Sequence, residues 1–206
     1  MYSLKIILAC LFICYSLTSC NPGVSSSVKT GDIIFQETMS LQCQAVKLAT
    51  KSRYSHIGII INKNDSDYVF EAVQPVKFTP LKKWIERGND SRYVIKRLIN
   101  HDEIFTNIKI SELKKNCDKY LGKNYDKYFE WSDERIYCSE LVWKLYKETF
   151  NIELGKLQEF REFDLSSKIV SDIIEERFGD NIPYDEPVIA PVQVFNYDNL
   201  ITIREN

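Results

Sequence analysis

Three side chains of this 206-residue sequence supply the parts of a nucleophilic centre: the thiol of Cys138, the imidazole of His56 and the carboxylate of Glu71. A thiol nucleophile needs a base to take its proton. The base in turn needs a polar partner that fixes its tautomer and supports its cation. His56 opens the apolar run SHIGIII, Glu71 closes the run YVFEA, and Cys138 begins the amphipathic stretch YCSELVWKLY. Each stands at the edge of a regular element. Only two histidines occur in the chain, so few alternative pairings compete.

The two apolar runs read as strands over 57–61 and 68–73, joined by the turn-rich Asn62-Lys63-Asn64-Asp65-Ser66. Side chains alternate along a strand, so Ile57, Ile59 and Ile61 share one face, as do Tyr68, Phe70 and Ala72. If those six make the core face, His56 and Glu71 both fall on the other. A two-residue turn at Lys63-Asn64 sets them directly opposite each other; a turn at Asn64-Asp65 makes them diagonal neighbours. Either register brings imidazole and carboxylate within reach. A slip of one residue would bury Glu71 unpaired among the isoleucines, which the cost of an isolated charge forbids. The plainer alternative is an exposed strand-end histidine with a chance acidic neighbour. Gly58 argues against it, because a glycine on the same face of a strand clears space.

Cys138 starts a helix whose core stripe is Leu141, Val142, Leu145 and Tyr146. Unpaired N–H groups and the positive end of the helix dipole favour a thiolate there and offer donors to a developing oxyanion. Other chemistries find less support. No CxxC or HxxxH spacing suggests a metal site, and no GxSxG marks a serine nucleophile. No cofactor is expected. His101-Asp102-Glu103 reads as a solvated turn entering a helix, and the aromatics Tyr125, Tyr128, Phe129 and Trp131 read as core or pocket rim.

The remaining pattern supplies the frame. GDIIF leads into a short strand, and 40–51 reads as a helix capped by Ser40. Thr79-Pro80 reads as a cap and first helical position for a helix over 81–87 that Gly88-Asn89 ends. A third strand is expected over 92–98, and a helix over 108–121 with Ser111 as its cap. The polar tail from Phe160 is expected to wrap the domain, with short strands over 188–194 and 200–203. This mixed order implies an α+β fold with an antiparallel sheet packed against helices.

A net charge of −2 with no basic face excludes nucleic acid as an expected partner. Residues 1–19 read as a secretory signal: Lys5, then a short apolar stretch well below the ~20 residues needed to span a bilayer. The stretch ends in LTSC, which resembles a bacterial lipobox, so Cys20 is the expected site of lipidation. Residues 20–30 read as a lipidated tether and 31–206 as one domain. The protein is thus expected to be an exported lipoprotein, held to a membrane of the bacterial cell envelope by the lipid on Cys20. Cys43, Cys117 and Cys138 then remain, an odd number that leaves at least one thiol unpaired.

Taken in order, GDIIF, ATKSRYSHIGIII, VFEAV, FTPLKKWIERG, LGKNYD and IYCSELVWKLY resemble the YiiX/YebB-like branch of the permuted papain-like, NlpC-type cysteine hydrolases. The resemblance runs from about Gly31 to about Phe150, with a weaker echo in PVIAPVQVF. It implies a circularly permuted papain-like fold, with the Cys following the His instead of preceding it. It further implies Cys138 as nucleophile, His56 as base, Glu71 as orienter and Tyr137 as a residue lining the substrate site; no role carries over to Cys43. The implied activity is hydrolysis of an amide through a thioacyl-enzyme, with cell-wall peptides one substrate class. A lipid amidase, esterase or acyltransferase is the alternative, and a non-enzymatic surface-binding lipoprotein a weaker one. The first needs an open cleft with polar recognition of a stem peptide; the second needs an apolar channel.

Overall fold

Both faces of the strand that begins at His56 are buried, which explains its almost unbroken apolar run. The computed structural model describes residues 27–206; the segment 1–19, Cys20 and most of the 20–30 stretch lie outside the described residues. Along the chain come β1 (Ile33–Gln36), α1 (Leu41–Thr50), β2 (His56–Lys63), β3 (Ser66–Glu71), β4 (Lys77–Pro80), α2 (Leu81–Glu86) and β5 (Tyr93–Leu98). There follow α3 (His101–Ile104), α4 (Asn107–Tyr120), β6 (Asn124–Tyr125), β7 (Arg135–Ile136) and α5 (Cys138–Phe150). The chain ends with β8 (Gln158–Glu159), α6 (Lys168–Phe178), β9 (Pro187–Val188), α7 (Pro191–Phe195) and β10 (Leu200–Glu205).

The main sheet is six-stranded and antiparallel throughout, in the order β10-β5-β1-β2-β3-β4. On one face Ile33, Phe35, Ile57, Ile59 and Phe70 pack with Leu141, Val142, Leu145 and Tyr146 of α5 in the principal core. On the other, Ile34, Ile60, Val69 and Ile95 close over Trp84 of α2. Lys63 pairs with Ser66, so Asn64 and Asp65 form the two-residue turn. Both have positive φ, the backbone twist that a tight antiparallel hairpin requires. This is the second of the two expected registers.

Several boundaries differ from those read in the sequence. Residues 77–80 form an edge strand, so Thr79 is not a helix cap; Pro80 caps α2 and ends β4. Thr106, not Ser111, caps α4: its hydroxyl accepts the Lys109 N–H, and Ser111 lies inside the helix. His101 is buried, stacked on Phe105 and bonded to the Thr30 carbonyl, because it starts a one-turn helix against the core. In place of a strand over 188–194, the two-residue β9 gives way to α7, with Pro191 preset for the first helical turn. Cys43, Cys117 and Cys138 are all free thiols.

Candidate active site

His56 is the first residue of β2 and Glu71 the last of β3. The hairpin register makes them diagonal neighbours, and His56 Nε2 lies 2.6 Å from Glu71 Oε2. Gly58 makes this closeness possible: a Cβ there would lie 2.3 Å from Val69 Cγ1 and 3.5 Å from Glu71 Cβ. The imidazole also lies against Trp84, ring centroids 5.8 Å apart.

Glu71 is fully buried, yet it is surrounded by donors. The Thr79 hydroxyl donates to Oε1 at 2.6 Å, and Trp84 Nε1 donates to Oε2 at 2.9 Å. Arg87, one helical turn beyond Trp84, donates to Oε2 as well. Burial alone would raise the Glu71 pKa; the hydrogen bonds and charges of His56 and Arg87, with Thr79, outweigh it and hold the carboxyl below its ordinary range. Burial would likewise depress the His56 pKa, but interactions with Cys138 and Glu71 raise it well above the ordinary histidine value. The imidazole therefore faces the thiol as well as the carboxylate. With Nε2 committed to Glu71, Nδ1 is the ring nitrogen left for Cys138.

Cys138 is the first residue of α5, at the end of the sheet where β2 begins. The helix start is fixed from two sides. Glu140 Oε2 accepts the Tyr137 N–H at 3.3 Å, and Glu140 Oε1 lies 2.8 Å from Lys144 Nζ. The Ser139 hydroxyl donates to the Ile189 carbonyl at 2.7 Å, while the Ile189 N–H donates to the Tyr137 hydroxyl oxygen at 3.1 Å. The segment before α7, whose weak echo stood apart in the sequence, thus braces the turn that carries Cys138.

An apolar cavity has Cys138 in its wall. Its walls come from α1 (Ala45, Ala49), α6 (Val170, Ile174), Phe129 and Tyr137, and its cavity volume is about 90 Å³. Tyr137 is buried in its wall, packed edge-on against Phe129. Sequence reading missed Thr79, Trp84 and Arg87. The signals present were the spacing of three between Trp84 and Arg87 and the alternation that puts Thr79 on the Glu71 face of the sheet.

A family model for permuted papain-like amidase enzymes of the YaeF/YiiX type, family C92, matches residues 27–204. The chain belongs to this family. As a permuted papain-like amidase it is a cysteine-type hydrolase. The uncharacterized protein YiiX of Escherichia coli (strain K12) is 44% identical over 184 residues, 89% of this chain and 90% of its own length. A crystal structure described as metalloprotein YiiX from Escherichia coli O157:H7 superposes with a TM-score of 0.82 at 44% identity, covering 86% of this chain and 97% of that one.

The donor set around His56 does not fit a metal ion. Both oxygens of Glu71 already accept hydrogen bonds, and the Arg87 guanidinium on Oε2 puts a positive charge where a cation would have to sit. Among the described residues no group of three or more His, Cys, Asp or Glu side chains is placed to hold one.

Proposed function

We propose that this amidase cleaves an acyl amide whose acyl part is apolar, and that Cys138, His56 and Glu71 do the chemistry. The observation that carries this reading is the apolar cavity that Cys138 lines, beside the hydrogen-bonded His56–Glu71 pair. An apolar channel is what a lipid-type acyl substrate needs and what a polar stem peptide does not. The Cys138 thiolate attacks the carbonyl carbon. The oxyanion so formed meets the unpaired N–H groups at the start of α5. Collapse breaks the C–N bond as protonated His56 hands its proton to the leaving amine, giving a thioester on Cys138. A water molecule then loses a proton to His56, attacks the thioester and releases the carboxylic acid. Glu71 holds the imidazole in one tautomer and supports its cation; Tyr137 shapes the acyl wall. We place the enzyme in the bacterial cell envelope, anchored through lipid on Cys20, where amphipathic amides collect.

The test is a product survey. Full-length protein, wild type beside Cys138→Ala, is incubated with lipid extracts, defined long-chain acyl amides and cell-wall digests. Release of fatty acid and amine by the wild type alone supports the reading. Products from the cell-wall digest alone would transfer the activity to stem peptides.

A further inference from the structure

A second concavity opens on the His56 side of the same centre, and it differs in chemistry from the acyl cavity. Gln42 and Tyr125 line both, so they form the partition between them. The groove's floor includes His56, and its charged rim residues are Arg87 and Lys127; no Asp or Glu lines it. Arg87 spends one N–H on Glu71 and is more than a third exposed. The rest of its guanidinium fork has no acceptor among the described residues. Lys127 is exposed, and its ammonium has no ion-pair or hydrogen-bond partner among them either. The loop that carries it is held in place. Arg177 donates to the Lys127 carbonyl and to Gln42 Oε1, and Gln42 Nε2 donates to the Tyr125 hydroxyl at 2.8 Å. Lys127 thus stands at the rim without a counter-charge among the described residues, and Arg87, paired with Glu71 through one N–H, keeps further donors for a second acceptor.

Resting on the proposed amidase reading, this fixes where the two halves of a substrate lie. With the acyl group in the apolar cavity and its carbonyl at Cys138, the scissile nitrogen faces His56, which protonates it. The amine half must then leave through the groove. We infer that the amine carries an anionic group, a carboxylate or a phosphate, held by Arg87 and Lys127. The substrate class is therefore an acyl amide of an amino acid or of an amino-alcohol phosphate. Arg87 offers the planar fork that suits either anion, and Lys127 a point charge at the rim. Both are accessible to water, so the preference for an anion weakens as salt rises.

Binding to the full-length Cys138→Ala protein tests this without requiring turnover. The probes are N-lauroylglycine against N-lauroylglycinamide, and N-lauroyl phosphoethanolamine against N-lauroylethanolamine, each pair differing in the anion. Calorimetry should show the charged member of at least one pair binding about tenfold more tightly, and the better pair names carboxylate or phosphate as the source. Lys127→Glu in the same background should invert the preference, favouring the neutral member, and added NaCl should shrink it in the parent. Equal affinities within both pairs, or a Lys127→Glu change that weakens charged and neutral members alike, overturn the anion subsite. Its failure is separable from that of the amidase reading. Wild-type turnover without charge preference sinks only the subsite, whereas charge preference with no turnover of any amide sinks only the chemistry.

Discussion

Four donors converge on the Glu71 carboxylate: His56, Thr79, Trp84 and Arg87. Glu71→Gln keeps the shape but turns one oxygen into an amide NH2 that confronts donors with another donor. Activity should fall by roughly 10³–10⁴-fold, as when the charge behind a catalytic imidazole is removed. Stability should drop by about 1–3 kcal/mol, the cost of a buried group left unsatisfied. Near-normal turnover in this variant would assign the orienting role elsewhere. The ion pair also has a pH signature. Glu71 is depressed in the folded state, so its contribution is present above the unfolded carboxylate pKa and is lost as pH falls toward the folded value. His56 is raised, so its contribution is full below the unfolded histidine pKa and is lost as pH rises toward the folded value. The melting-temperature gap between wild type and His56→Gln should therefore be widest at about pH 5–6 and narrow through pH 9. A gap constant across that span would mean that the pair is not charged. The same pair should make Cys138 the thiol that iodoacetamide labels fastest, with His56→Ala removing the advantage. Cys117, buried and with its pKa pushed up by that burial, should stay unlabelled.

At the scale of elements, the β2–β3 hairpin and α5 share the proposed site: one holds His56 and Glu71, the other carries Cys138. Gly58 is where this arrangement is most easily broken. A methyl group there would press on Val69 Cγ1 at 2.3 Å and on the Phe70 carbonyl at 3.1 Å, and the carbonyl belongs to the paired strand and cannot swing aside. Gly58→Ala should cost about 1–3 kcal/mol in urea unfolding and slow Cys138 alkylation, since the strands part next to Glu71. Ile60→Val, two residues on in the Trp84 core, should cost about 0.5–1.5 kcal/mol and leave alkylation unchanged. Equal alkylation rates in both variants would show that the hairpin's spacing does not set the site. This hairpin was legible in the sequence because isoleucine alternation and an Asn-Asp turn fix a register, and a buried carboxylate admits only one face. Helix α5 was legible from its stripe. The cap of Glu71 was not, because Thr79 lies on a short edge strand that reads as a helix cap, and nothing local to the short helix shows that Trp84 and the Arg87 after it face Glu71. Nor was α7: PVQVF alternates like a strand, and only its packing against α5, with Pro191 at the first turn, makes it helical. Burial of His101 followed from a tertiary contact with Thr30 that no local window contains.

For the whole molecule, the apolar cavity and the proposed lipid anchor point to the same physical setting. A substrate with a long apolar acyl group partitions into membranes, and an enzyme with a narrow apolar cavity must draw it out. Among the described residues no helix is long and apolar enough to cross a bilayer. Lipid on Cys20 would hold the domain at the membrane, each buried methylene contributing about 0.8 kcal/mol. It would convert encounter with a membrane-borne amide into a two-dimensional search at raised effective concentration. Cys20→Ser should therefore have two consequences. The protein should move from the membrane pellet to the soluble fraction or accumulate unprocessed. Purified, it should turn over a detergent-dispersed acyl amide as fast as the lipidated form, yet fall behind on the same amide embedded in vesicles. A pellet fraction unchanged by Cys20→Ser would remove the anchor. Equal rates on vesicles with and without the lipid would leave the anchor as an address only, with no part in how the acyl chain reaches Cys138.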